Sequence, residues 1–224
     1  VIKSPGIPGS APLVKALAAA GKPVISEIEF AARHCPGRII ALTGTNGKTT
    51  TTALTHHLMQ AAGLDAALGG NIGRSFAGLL AEDRAYDWYV LEISSFQLDD
   101  IQTFCPDIAL LLNISPDHLD RYGGSMDRYA AAKFRITENQ QPSQHFIYAA
   151  DDPGIATRLA AYPTQAQRLE FGLATKPGRA AWMEGEVMQV LGEPLLDFHE
   201  TQLLGPHNQL NALAATLAVL TAGG

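Results

Sequence analysis

The run Thr43-Gly44-Thr45-Asn46-Gly47-Lys48-Thr49-Thr50 constrains this chain more than any other. The apolar stretch before it, Arg38-Ile39-Ile40-Ala41-Leu42, reads as a buried strand, and residues 51–62 after it read as a helix that Gly63 stops. A glycine-rich turn between strand and helix leaves backbone N–H groups converging on one spot, where the positive end of the helix dipole also points. Such a cradle suits the phosphates of a nucleotide such as ATP. In this reading Gly44, Thr45, Asn46, Gly47, Lys48, Thr49 and Thr50 hold the nucleotide, with Lys48 at the outer phosphates and the Thr49 hydroxyl at Mg²⁺. The common P-loop has four residues between its glycines, whereas here only Thr45 and Asn46 separate Gly44 from Gly47. A strand–turn–helix corner with an incidental Gly-Lys-Thr is the competing reading. It does not explain why strand, glycines, lysine and hydroxyl all fall where the mechanism needs them.

The rest of the chain alternates short apolar strands with helices. Helices are expected over 11–20, 26–34, 53–62, from Ser75 to Leu80, and over 129–138. Strands are expected over 88–91 ending at Glu92, over 108–112 ending at Asn113, and over 146–150. Gly69-Gly70-Asn71-Ile72-Gly73 reads as a tight loop. This alternation predicts an α/β fold, a doubly wound and mostly parallel sheet, which would carry the P-loop-type nucleotide site. From Arg168 to Leu204 the texture changes. Short runs at 168–171, 180–183, 187–191 and 195–198 are split by Gly-Glu and Gly-Glu-Pro turns. They predict a small antiparallel β meander over about 165–204, before a last helix at 210–221.

Composition narrows the function classes. With 224 residues the chain makes one large domain or two small ones, and 46% hydrophobic content supports a substantial core. A formal net charge of −6 gives no basic face for nucleic acid. No apolar stretch approaches the ~20 residues that span a bilayer. A cytoplasmic monomer with no signal peptide, no membrane partner and small-molecule substrates is expected. Cys35 and Cys105 lack metal-ligand spacing and read as reduced thiols. The start at Val1 and the end at Gly223-Gly224 read as cut ends of a longer polypeptide.

In parallel sheets ligands gather at the carboxyl ends of strands. Three polar groups are expected there: Thr49 after the first strand, Glu92 at the end of the second, and His118 just beyond the third. If those strands are neighbours, a hydroxyl, a carboxylate and an imidazole form a Mg²⁺ environment beside the phosphates, although imidazole is an unusual ligand for that ion. Each also has a plainer reading, Glu92 as a helix cap and His118 as a hydrogen-bonded turn residue. Lys133, within Ala131-Ala132-Lys133-Phe134, reads as a solvated helix lysine that nothing in its spacing flags.

Together these runs carry a family resemblance. Gly44-Thr45-Asn46-Gly47-Lys48-Thr49 resembles the ATP loop of the Mur ligases, the ATP-dependent amide-bond ligases of peptidoglycan synthesis, which use the shortened glycine spacing. Gly69-Gly70-Asn71-Ile72-Gly73, Leu91-Glu92-Ile93-Ser94-Ser95-Phe96-Gln97-Leu98, Asp117-His118-Leu119-Asp120-Arg121, Tyr129-Ala130-Ala131-Ala132-Lys133 and His207-Asn208-Gln209-Leu210-Asn211 follow in the order of the D-glutamate-adding branch. The resemblance implies that Thr49 and Glu92 hold a Mg²⁺ between the outer phosphates and that His118 holds a second. It further implies that Lys133, carbamylated by CO₂, binds that second ion, with Lys48, His118 and Lys133 forming the catalytic set. Asn71 and Ser94 match positions at the substrate UDP-MurNAc-L-alanine, and Asn208 and Asn211 match asparagines near adenine. The implied chemistry is phosphorylation of that substrate's terminal carboxylate by ATP, then attack by the amine of D-glutamate. By the same resemblance, residues 1–10 are the remnant of a UDP-binding domain with its linker, and residues 11–224 form the central ATP-binding domain. A C-terminal D-glutamate-binding domain would be absent, leaving these residues inactive alone. Two alternatives stand beside it. A folylpolyglutamate synthase-like ligase is disfavoured by the Ser94-Ser95-Phe96-Gln97 run and the glycine-rich 69–73 loop. A nucleotide-binding module without ligase activity would show binding with no dependence on an acyl substrate.

Overall fold

In the computed structural model, which describes residues 1–202 and 205–224, the chain opens with a short parallel pair. This is β1 (Ile2–Lys3) on β2 (Ile25–Ser26), linked through α1 (Pro12–Ala19). Next is α2 (Glu27–Ala32), where Ser26 Oγ accepts from Glu29 N at 3.2 Å and so satisfies one of the N–H groups a helix start leaves bare. The fully buried Glu29 carboxylate accepts from the backbone N–H groups of Gln102, Thr103 and Phe104 at 2.9, 3.0 and 2.8 Å. Burial alone would raise its pKa. These bonds, with those from Thr103 Oγ1 and Arg33, outweigh burial and hold the carboxyl at about 2.

The main sheet begins at β3 (Arg38–Thr43), followed by α3 (Lys48–Ala61), β4 (Ala66–Gly70), α4 (Phe76–Leu80), β5 (Trp88–Glu92), α5 (Ser95–Leu98) and β6 (Ile108–Leu111). Then come α6 (Met126–Phe134), β7 (His145–Ala149), α7 (Pro153–Ala156), β8 (Gln167–Phe171), β9 (Ala181–Glu184), β10 (Val187–Val190), β11 (Glu193–Asp197) and α8 (Pro206–Thr221). The nine strands lie in the order β11-β10-β9-β8-β7-β6-β3-β5-β4. From β4 to β8 every pairing is parallel, which confirms the expected α/β fold. Ile40, Leu42, Val90, Leu91, Leu110 and Leu111 have no exposed surface, as expected of parallel strands covered on both faces. Each such side chain contributes about 1.5–3 kcal/mol through burial.

Several boundaries differ from the sequence reading. Helix α3 starts at Lys48, not Thr51, so the lysine and both following threonines form its first turn. Gly69 and Gly70 belong to strand β4 rather than to a loop. They are glycine because a Cβ on Gly69 would sit 2.6 Å from the Arg74 carbonyl oxygen, and one on Gly70, at φ +99°, would strike the Glu92 carbonyl. Helix α6 spans 126–134 and passes into a 3₁₀ turn over 135–137. The 168–171 run belongs to β8, which pairs parallel to β7, so the antiparallel meander is β9–β11 alone. The last positions of the expected meander, 203 and 204, lie outside the described residues. Helix α5 and the opening turn of α8 were not anticipated.

The crossovers position the site. From β3 the chain passes β5 to reach β4, whereas from β6 it leaves on the other side for β7. Right-handed crossovers in opposite directions put α3 and α6 on opposite faces. Helix α8 packs beside α3 and over β6–β10. The carboxyl ends of β3 and β6 therefore border a topological switch point, where open α/β sheets bind ligands. No helix among the described residues is long and apolar enough to cross a membrane.

Candidate nucleotide and metal site

The cradle lies at that switch point. Gly47, at φ +79°, turns the chain into α3. The N–H groups of Lys48, Thr49 and Thr50 open the helix and have no carbonyl one turn back to bond. They face the same way as the positive end of the dipole. Lys48 Nζ donates to the carbonyls of Gly44 and Thr45 at 3.0 and 2.8 Å. Burial lowers its pKa, against the pull of Glu92 and Asp117.

A carboxylate stands next to the helix start. Thr49 Oγ1 donates to Glu92 Oε2 at 2.7 Å, and Asn71 Nδ2 donates to Glu92 Oε1 at 2.9 Å. Asn71 N also bonds the Glu92 carbonyl at 2.8 Å, so β4 and β5 lock together at their carboxyl ends. Thr49 and Glu92 are thus brought together, and Asn71, which the resemblance put at the muramoyl substrate, joins them on the Glu92 carboxylate. Glu92 is not the cap of the following helix. Ser94 is: its Oγ accepts from Gln97 N at 3.3 Å while Gln97 Oε1 accepts from Ser94 N at 2.9 Å. The Ser94 hydroxyl is committed to that box and also donates to Gln97 Oε1.

Lys133 is not a solvated lysine. It is 2% exposed, and its Nζ donates to the Gly44 carbonyl at 2.7 Å. The reason is periodicity: Tyr129, Ala130 and Phe134 are buried on the same helix, and Lys133 falls within that apolar stripe. Its Nζ sits 4.6 Å from the centre of the Tyr129 ring. Burial first, and the charge of Lys48 second, bring its pKa down to about 7, with Asp117 acting in the opposite sense. The Tyr129 hydroxyl in turn lies 3.1 Å from Thr45 Oγ1, which bonds Ser115, so α6 grips the cradle at two points.

His118 stands further out. It adopts a left-handed backbone at φ 48°, packs edge-on against Phe96 and lies 3.5 Å from Asp117 Oδ2. Among the described residues no hydrogen bond or ion pair joins it to Thr49, Glu92 or Lys133, and no three His, Cys, Asp or Glu side chains cluster as a metal site. The chain does offer one hydroxyl and one carboxylate together at Thr49 and Glu92. That donor set fits Mg²⁺, an ion that keeps most of its sites for water and substrate phosphate. An uncarbamylated Lys133 is a donor, not a ligand.

Beyond the cradle a cavity of about 670 Å³ opens between the loop and α8. Asn46, Asn208 and Asn211 line it along with Phe171, Leu173 and Asp151. Asn211 Oδ1 accepts from Thr51 Oγ1 at 3.1 Å and fills the space that a Cβ on Gly47 would need. Asp151 is held by Arg179 through two nitrogens at 2.8 Å and by Lys176 at 2.7 Å. Chiefly through Arg179, its carboxyl is kept at about 2. Asp151, Phe171 and Asn113 escaped the sequence reading. Asn113 and Asp151 do share one signal with Glu92: each is a polar residue at or just past the carboxyl end of a parallel strand.

Comparison with known proteins gives the family and the fold. The family model described as the Mur ligase middle domain matches residues 42–219. A UDP-N-acetylmuramoylalanine–D-glutamate ligase of Bacteroides thetaiotaomicron is 46% identical over 226 aligned residues, covering 100% of this chain and 50% of that protein. The enzyme of the same name from Geobacillus kaustophilus is 40% identical, covering 100% of this chain and 49% of its own length. The chain thus spans about half the length of the curated relatives it matches. Among solved structures, a UDP-N-acetylmuramate:L-alanyl-gamma-D-glutamyl-meso-diaminopimelate ligase from Neisseria meningitides superposes with a TM-score of 0.71 at 17% identity. That match covers 100% of this chain and 74% of the other. The MurF ligase of Thermotoga maritima, crystallised with ADP, gives 0.63 at 18% identity, over 94% of this chain and 57% of its own. At those identities the likeness is one of fold.

Proposed function

The chain belongs to the Mur ligase family, and from that membership we propose that it is the ATP- and Mg²⁺-binding part of a ligase that joins D-glutamate to UDP-MurNAc-L-alanine. The reaction is phosphorylation of the substrate's terminal carboxylate by ATP, followed by attack of the D-glutamate amine on the acyl phosphate. The observation that carries the reading is the Thr49–Glu92 pair at 2.7 Å, set beside Lys48 at the bare N-terminus of α3.

Each residue then has a role that chemistry allows. Lys48 exchanges the carbonyls of Gly44 and Thr45 for outer phosphate oxygens, a stronger, charge-assisted contact. Thr49 and Glu92 hold the first Mg²⁺, with Asn71 fixing the orientation of the carboxylate. His118 and carbamylated Lys133 are assigned to a second. The metals, when bound, offset the charge of two anions brought together. Carbamylation needs the neutral amine: the Nζ lone pair attacks CO₂ and one proton leaves. Burial of Lys133 favours that neutral form. Asn208 and Asn211 face the base. With its Oδ1 already taking the Thr51 proton, Asn211 has its Nδ2 left to offer. Asn71 and Ser94 are assigned to the muramoyl substrate, which Ser94 reaches by giving up its bond to Gln97.

Calorimetric titration of the 224-residue chain with Mg²⁺ and a non-hydrolysable ATP analogue tests this. Binding is expected, and Lys48→Ala is expected to abolish most of it. Unchanged affinity in a folded Lys48→Ala protein would remove Lys48 from the phosphate site. With UDP-MurNAc-L-alanine present, this chain alone is expected to release no phosphate in response to D-glutamate. Substantial turnover would overturn that division of labour.

A further inference from the structure

We infer that Asn113 is a positioning residue for the phosphate cradle, its side-chain amide replacing the backbone that the shortened glycine spacing removes. The inference rests on the nucleotide reading of the site and adds to it a residue that the cradle motif does not contain. Strand β6 ends at Leu111, yet its ladder with β3 continues past that point. Leu112 N donates to Thr43 O at 3.0 Å, and Thr45 N donates to Asn113 O at 3.0 Å. The next rung has no backbone partner, because the chain turns away at Ile114, whose N–H goes to Asp152 Oδ1 at 3.2 Å. The Asn113 side chain supplies that rung. Its Oδ1 accepts from Asn46 N at 2.8 Å and from Thr45 N at 3.0 Å, and its Nδ2 donates to Asn46 O at 2.9 Å. An acceptor and a donor on one planar group reproduce the pairing of a strand residue.

This clamp falls on the only two residues between the glycines. Gly44 lets it close: a Cβ there would meet Leu112 Cβ at 3.0 Å and Asn113 N at 3.4 Å. The consequence is a division of N–H groups. Those of Thr45 and Asn46 turn inward to Asn113, and those of Lys48, Thr49 and Thr50 remain for an anion. A longer loop can fold its own backbone into a cradle. This one is held open from outside by a neighbouring strand end.

Two substitutions in the 224-residue chain test the role, read by titration with Mg²⁺ and a non-hydrolysable ATP analogue and with folding followed by melting temperature. Asn113→Leu keeps the volume and removes the amide. It should weaken binding roughly ten- to hundredfold, the scale of two or three lost hydrogen bonds. Asn113→Asp keeps the oxygen that accepts both N–H bonds but replaces the donor with a carboxylate oxygen facing the Asn46 carbonyl. Its defect relative to the parent should be large near pH 8 and shrink only as the pH falls toward about 4, where the carboxyl becomes protonated and donates again. A residue that only stabilises the fold would lower the melting temperature and leave the variant-to-parent affinity ratio flat with pH. Parental affinity in a folded Asn113→Leu, or a flat ratio for Asn113→Asp, overturns the role while leaving the nucleotide site standing. Failure of the parent to bind overturns both.

Discussion

Gly47→Ala is the sharpest probe of how the loop is coupled to the last helix. At φ +79° an alanine is strained by about 1–2 kcal/mol. Its Cβ would also lie 2.5 Å from Asn211 Oδ1, so the asparagine must move. That breaks the 3.1 Å bond from Thr51 Oγ1, a fully buried hydroxyl, at about 1–2 kcal/mol. The single substitution should therefore cost about 2–4 kcal/mol in urea unfolding. Asn211→Ala removes the same hydrogen bond and should cost about 1–2 kcal/mol. In the double variant the Cβ finds open space and the bond is lost only once. The pair should then be less destabilising than the sum by about 1–2 kcal/mol, a coupling well above the scatter of independent sites. Additive costs would refute the argument, since they would mean that Asn211 does not fill the space over Gly47.

Two further outcomes follow from buried charges. Glu29, held at about 2 against an ordinary 4.5, stabilises the fold fully above about pH 5 and loses that contribution as pH falls toward 2. Parent and Glu29→Gln should therefore differ by a few kcal/mol in urea unfolding near pH 7, with the gap narrowing below about pH 4.5 and closing only toward pH 2; a constant gap would refute the assignment. Lys133 has its pKa brought down to about 7, so the unfolded chain binds more protons above that pH and the parent gains stability between about pH 7 and 10. Lys133→Met should lack that slope and should also lose any carbamate signal seen by NMR with carbon-13 bicarbonate. A carbamate resonance that persists in Lys133→Met would move the modification to another lysine.

The cradle was legible because strand, turn and helix are local, and so was the α/β alternation. What the chain hid was pairing between distant segments. Strand β8 looks like a member of the meander because four short apolar runs in a row share one texture, and nothing local distinguishes a parallel neighbour from an antiparallel one. Gly69-Gly70 suggested a turn, although the glycines are there for close approach to Glu92 and Arg74. Lys133 could have been suspected from the stripe of Tyr129, Ala130 and Phe134, but a lysine in such a stripe more often snorkels to water. Asn113 and Asp151 needed the sheet order before their strand ends could be seen to converge.

The bond between Thr51 and Asn211 spans 160 residues, and that between Asn46 and Asn113 spans 67. During synthesis the glycine loop emerges long before either partner exists. The strand end that clamps it follows 67 residues later, and the helix that backs Gly47 follows 160 residues after Thr51. Contacts of such sequence separation form late, after the entropy of closing the intervening chain has been overcome. The cradle is therefore expected to mature late in the folding of these residues, as low φ-values at Asn113 and Asn211 would show. A nucleotide that recognises only the matured cradle has little to hold in the folding transition state, so its stabilisation appears as slower unfolding rather than faster folding. For this site, ligand acts as a kinetic lock on a finished fold.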